Sequence, residues 1–160
     1  GVVPDLEPGV CIAGRPPAGL GGAGRGLPQG EPRATVGRPL LVGGGIGIAP
    51  LPYLSEALGH PPALLGFRNE LYAEAAALLP QAEVAIEPQL VTELLPGDPG
   101  DVLACGPAPM LEALASLVPG AQLAWEAPMA CGYGACYGCV VEVDGRYERL
   151  CVAGPVLRSG

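Results

Sequence analysis

Short apolar runs recur along the chain at Pro39–Val42, Ala63–Phe67, Glu83–Ile86, Val102–Cys105 and Gln122–Trp125. Each has the length of a strand buried on both faces. Between them the pattern predicts helices at Leu51–Leu58, Glu70–Leu79 and Ala108–Val118, with a short turn or helix at Gln89–Leu95. In the second helix Leu71, Ala75, Leu78 and Leu79 share one face, and Glu70 and Glu74 lie on the polar side. Strands alternating with helices predict a parallel α/β sheet.

The two ends of the chain have a different texture. Residues 1–39 hold ten Gly and seven Pro and offer one candidate strand, Val10–Ala13. After Trp125 the last 35 residues carry six Gly and four of the six Cys. There an alternating strand at Val140–Val143 is followed by Asp144-Gly145 and a second strand at Tyr147–Leu150, the signature of a hairpin. Three segments are expected: 1–38, 39–124 and 125–160.

Composition narrows the function. Hydrophobic residues make up 49% and charged residues 15% of the chain, so a packed core is affordable. Sixteen acids against eight bases give a net charge of −8, which argues against sequence-independent binding to nucleic acid phosphates. The longest uncharged run, Pro39–Ser55, is broken by glycines and prolines and is too short to span a bilayer. No basic segment followed by an apolar stretch opens the chain, so a cytoplasmic protein without membrane or nucleic acid partners is expected.

The cysteines carry the strongest chemical signal. Cys131, Cys136, Cys139 and Cys151 follow the spacing C-x4-C-x2-C-x11-C, and the first three match the plant-type [2Fe–2S] pattern. A cluster of two irons and two sulfides needs four thiolates on one wall of a tight loop. Gly132, Gly134 and Gly138 allow the positive φ such a loop demands and let backbone N–H groups approach the sulfurs. Structural zinc and paired disulfides are the alternatives. Zinc modules usually bring two separated CxxC pairs or Cys/His mixtures, and disulfides suit secreted chains. Cys11 stands apart as an inert thiol.

A second signal lies in LLVGGGIGIAP, where an apolar strand runs through Gly43, Gly44, Gly45 and Gly47 towards a helix opening near Pro50. Such a turn is a candidate anion site, although Pro50 stands where the third glycine of G-x-G-x-x-G belongs. The strand DVLACG ends likewise in Cys105-Gly106-Pro107 and leads into a helix carrying Met110. Ligands of open α/β sheets bind at such carboxyl ends of strands.

In combination, GGGIGIAP and CGPAPM resemble the nicotinamide-binding domain of the ferredoxin–NAD(P) reductase superfamily. Together with MACGYGACYGC and LCVAGPV they resemble the electron-transfer subunits of the NAD-linked dihydroorotate dehydrogenases of pyrimidine biosynthesis. The resemblance covers about residues 39–160. It implies an NAD-binding domain over 39–124, a small ferredoxin-like [2Fe–2S] domain over 125–160, and residues 1–38 as the exit segment of a flavin-binding barrel. Electrons would pass between NAD(H), FAD and the cluster, and on to or from an FMN-containing catalytic subunit in a heterotetramer. By position, Gly44, Gly45, Gly47 and Pro50 would cradle the dinucleotide with Gly106, Pro107 and Met110, Arg68 would lie beside it, and Cys105 would sit near the nicotinamide. Cys131, Cys136, Cys139 and Cys151 would be the cluster ligands.

Two departures accompany the resemblance. A six-stranded barrel needs roughly 60 residues, more than residues 1–38 supply, and no R-x-Y-[ST] flavin motif occurs, so the FAD site is expected to be incomplete and the chain inactive alone. An acidic-Gly-Ser loop is replaced by IEPQLVTELL. Rival readings are a reductase module linked to a hydrogenase or glutamate synthase, and a non-catalytic zinc or assembly module. Arg146, Arg149 and Arg158 read as scattered surface charge, with docking of an acidic partner as the alternative. Trp125 reads as packing and His60 as a turn residue.

Overall fold

A computed structural model describes residues 39–143 and 145–160. Five parallel strands form the sheet: β1 (Leu40–Gly44), β2 (Ala63–Phe67), β3 (Ala82–Ile86), β4 (Val102–Cys105) and β5 (Gln122–Ala124). A hairpin follows, β6 (Val140–Val143) with β7 (Arg146–Arg149), and a last strand, β8 (Val156–Arg158), lies antiparallel to β5. The order across the large sheet is β3-β2-β1-β4-β5-β8, so the direction of winding reverses between β1 and β4. Candidate strand Val10–Ala13 lies outside the described residues.

Strand alternation divides the core. Leu41, Ala63, Leu65 and Leu103 face one side, where Leu51 and Leu54 of α1 (Leu51–Ala57) cover them. Leu40, Val42, Val102, Ala104 and Leu123 face the other, against Leu111 and Leu114 of α3 (Ala108–Leu117). Both helices carry a proline in the first turn, Pro52 and Pro109, where a missing N–H costs nothing. Each fully buried leucine contributes about 1.5–3 kcal/mol, which is why strands this short hold.

The expected amphipathic helix at 70–79 is corrected. Asn69 caps it, accepting the Tyr72 N–H at 3.1 Å. Only Glu70–Ala73 (α2) is α-helical, and Glu74–Leu78 tightens into a 3₁₀ turn. With three residues per turn the spacing that aligned Leu71 and Leu78 is lost. Both are exposed, and Leu79 alone is buried. The segment Val91–Leu94 is likewise a 3₁₀ turn.

The C-terminal residues return to the sheet. After the hairpin, α4 (Leu150–Ala153) leads into β8, whose neighbour Ser159 is buried and donates through Oγ to the Val118 carbonyl at 2.9 Å. Trp125, Cys139, Val143 and Leu150 join the same buried cluster as Leu111 and Leu114. Among the described residues no helix is long and apolar enough to cross a membrane.

The crossing of β1 and β4 depends on one close approach. A Cβ on Gly47 would run into the backbone carbonyl of Cys105 and the Gly106 Cα, whereas one on Gly97 would meet nothing within 4 Å. Gly47→Ala is expected to destabilise the fold by about 1–3 kcal/mol in denaturant unfolding, with Gly97→Ala close to neutral.

Candidate functional site

At the winding reversal a cavity of about 860 Å³ opens above the carboxyl ends of β1, β2 and β4, within the size range of small-molecule sites. Its floor is made of glycine. A Cβ on Gly44 would lie 2.6 Å from the Met110 sulfur, and one on Gly106 would lie 3.1 Å from the Gly44 nitrogen. Side chains at these turns would fill the space that a ligand needs. The 3₁₀ turn Gly45–Ile48 separates β1 from α1, so the chain does not pass directly from strand into α-helix.

Of the residues singled out in the sequence, Gly44, Gly45, Gly47, Arg68, Gly106, Pro107 and Met110 all line this cavity. Pro50 caps α1 away from the lining, and Cys105 lies buried beneath it at the end of β4. Burial raises the Cys105 thiol pKa, and the Glu126 carboxylate adds to the rise. Arg68 stands at the rim 4.0 Å from Glu87, an exposed pair of little value for stability.

The sequence reading missed one wall and one corner. Glu87, Gln89, Leu90, Val91 and Thr92, from the segment IEPQLVTELL, close one side of the cavity, and Tyr72 joins them. Glu126 forms the corner. It also lines a second, shallower groove of about 600 Å³ with Trp125, Pro128, Met129 and Pro155. The Trp125 indole N–H is buried there without a hydrogen-bond partner among the described residues. No spacing rule points to Glu126, because its place follows from how β5 ends beside β4.

Two residues beyond that groove the cysteine loop begins. Cys131, Cys136, Cys139 and Cys151 are all free thiols. Backbone N–H groups converge on the sulfurs: Cys136 on Cys131 at 3.5 Å, Gly138 on Cys136 at 3.4 Å, and Cys151 on Cys139 at 3.4 Å. Gly132 and Gly134 take φ of +72° and +86°, as the loop required, whereas the next positive φ falls on Tyr137 and not on Gly138. Two of the N–H contacts join the cysteines in pairs, Cys131 with Cys136 and Cys139 with Cys151, through a backbone N–H of one and the sulfur of the other. Among the described residues, no three Cys, His, Asp or Glu side chains gather as around a single metal ion.

These contacts act on the thiols. The Cys136 N–H, with those of Tyr133 and Ala135, lowers the Cys131 pKa to about 6. The Cys151 N–H holds Cys139 below the ordinary thiol value. The neighbouring Cys139 sulfur, and then desolvation, push the Cys151 thiol up, and the Gly134 backbone opposes that rise. Arg149, expected on the surface, instead folds back to donate to the Gly134 carbonyl at 2.7 Å and lies over the Tyr137 ring.

Comparison with known proteins agrees with this geometry. Residues 126–160 match the family described as the iron-sulfur cluster binding domain of dihydroorotate dehydrogenase B. The electron transfer subunit of dihydroorotate dehydrogenase B (NAD(+)) from Bacillus caldolyticus is 38% identical over 88% of this chain and 63% of its own length. Over most of its length the chain is similar to these electron transfer subunits. It spans about three-fifths of the length of the curated relatives it matches. An Aquifex aeolicus homologue of the subunit is 34% identical over 74% of this chain and 55% of its own. Among solved structures, the NADH-dependent reduced ferredoxin–NADP oxidoreductase superposes with a TM-score of 0.64 at 26% identity, over 78% of this chain and 53% of that one. The parallel sheet is therefore of the ferredoxin reductase type, and it carries an iron–sulfur cluster binding domain at its C-terminal end.

The thiolate is the nucleophilic form of cysteine, so the shifted thiols predict an order of reactivity. In the metal-free chain at pH 7, iodoacetamide should alkylate Cys131 well before Cys105, as read by peptide mass spectrometry. A lowered pKa means that the Cys131 thiolate persists at neutral pH and is lost as pH falls through about 6. Its rate should fall accordingly, and equal rates at the two cysteines would contradict the assignment.

Proposed function

We propose that this chain is an electron-transfer module that passes electrons between a nicotinamide dinucleotide in the switch-point cavity and a [2Fe–2S] cluster on Cys131, Cys136, Cys139 and Cys151. The observation that carries the reading is the position of Glu126. It lines the cavity, and five residues later the chain reaches Cys131. Five residues span at most about 18 Å, so the two sites sit on one short, anchored stretch of backbone.

The cysteine loop fits the cluster. Cys131 with Cys136, and Cys139 with Cys151, each joined through a backbone N–H to sulfur contact, would give each of two irons two thiolates. When bound, the cluster supplies one-electron transfer with little rearrangement. The protein's part is to hold the thiols with their sulfurs already hydrogen-bonded, and Cys139 does so from within the core. In the cavity the glycine floor admits the dinucleotide backbone and Met110 packs against it. The guanidinium of Arg68 can meet its phosphates. Buried beneath the floor, Cys105 stays a neutral thiol and adds no charge where hydride departs.

Hydride delivers two electrons together, and the cluster takes one at a time, so a flavin must stand between them. The resemblance assigns that role to FAD, held with help from outside residues 39–160. The partner is an FMN-containing subunit that oxidises dihydroorotate, joined in a heterotetramer. Free thiols at Cys105 and at the four loop cysteines suit a reducing compartment such as the cytoplasm.

Purified chain should contain close to two irons and two sulfides, and Cys→Ser at any of Cys131, Cys136, Cys139 or Cys151 should bleach it or shift its spectrum. Cys11→Ser should leave the colour intact. With FAD and the dihydroorotate-oxidising subunit added, NAD-dependent oxidation of dihydroorotate should appear. One zinc and no sulfide would defeat the reading.

A further inference from the structure

Arg149 sits on β7 opposite Val140, the residue that follows Cys139, and two residues before Cys151. Its guanidinium reaches across the cysteine loop. There Nη1 donates to the Gly134 carbonyl at 2.7 Å, inside the interval between Cys131 and Cys136. The same group lies 5.1 Å from the centre of the Tyr137 ring, inside the interval between Cys136 and Cys139. One side chain thus touches all three intervals that separate the four cysteines.

Both of its contacts are unusual places for a chain to be. Tyr137 holds φ at +59°, a left-handed conformation that a bulky residue rarely adopts. The stacked guanidinium gives its ring a reason to stay there. Gly134 lies at φ +86°, and a Cβ on it would fall 2.7 Å from Val152 Cγ2 and 3.2 Å from Arg149 Nη1. Its carbonyl is tied to Arg149, which holds this turn of the loop in place. Among the described residues no carboxylate pairs with Arg149, so its charge is not cancelled beside the loop. Arg146, on the same strand, is three residues away, which in a pleated strand is the opposite face.

We infer that Arg149 is a positioning residue for the cluster: it clamps the cysteine loop in its ligating shape and sets the reduction potential with its charge. The proposal rests on the [2Fe–2S] reading above. On reduction the cluster gains one electron from an external donor and one unit of negative charge, with no bond made or broken. A fixed guanidinium close by stabilises that more negative state and raises the potential. Because hydrogen bonding to the surroundings of metal ligands governs metal retention, the clamp also slows iron loss.

The test uses the full chain as purified, with dithionite as reductant and a ferrous chelator. Arg149→Gln should lower the midpoint potential and release iron about tenfold faster. Arg149→Lys, which keeps the charge and loses the planar fork, should recover most of the potential but not the slow release. Tyr137→Leu should speed release at an unchanged potential, and it carries the test of the clamp should Arg149→Gln take up no cluster. Arg146→Gln should change neither quantity; an equal potential shift there would overturn the proposal by showing a general charge effect. A wild-type chain with iron and sulfide whose Arg149→Gln variant keeps both potential and release rate would overturn this proposal alone. A wild-type chain with neither iron nor sulfide would overturn the cluster reading together with it.

Discussion

The contact between Gly47 and the Cys105 carbonyl is the constraint on which the rest of the structure depends. Parallel strands that wind in opposite directions from β1 and β4 leave a crevice between their carboxyl ends. Whether that crevice is a site or a filled core is decided by the residues at the two turns. Here both turns are glycine-rich and lie backbone to backbone, with Met110 packed against Gly44 and Gly106. The cavity is the space that the missing side chains leave.

The same sheet holds the cysteine loop in place. After the hairpin the chain comes back as β8, and Trp125 N–H donates to the Pro155 carbonyl at 2.7 Å while Ser159 N–H donates to that of Ala121 at 3.0 Å. The loop is therefore tied at both ends to β5. Cys139 is itself part of the core that α3 builds. The switch-point cavity and the cysteine loop are thus fixed to one strand, and the constant separation this gives them suits the proposed transfer of electrons between two centres. Tyr133 and Tyr137, in the part of the loop that precedes the hairpin, are exposed.

Charge is distributed with similar economy. The chain is acidic overall, with eight arginines as its only strong cations. Glu126 faces the cavity from the corner nearest the loop, and Arg149 stands on the loop's far side without an acidic partner among the described residues. Backbone N–H groups, which carry no net charge, do most of the remaining work at the sulfurs. The loop can thus hold four thiolates without a cluster of basic side chains around them.

Much of this was legible in the residues themselves. Strands β2 and β4 run where the apolar runs placed them, because a strand buried on both faces needs only local hydrophobicity to be seen, and β6 runs where its alternation placed it. The glycine turns and the cysteine spacing were equally local signals, since a tight loop or a positive φ restricts the residue at that position. Tertiary structure decided what depends on neighbours distant in sequence. It tightened the 70–79 helix and exposed Leu71 and Leu78. It brought Val156–Arg158 back to the sheet edge, turned IEPQLVTELL into a cavity wall and put Glu126 at the corner between two grooves. It also folded Arg149 onto Gly134 and Tyr137, where the sequence showed one more surface cation. A periodic pattern records which residues are buried, but a side chain that crosses fifteen residues of loop to meet its partner leaves no period to read.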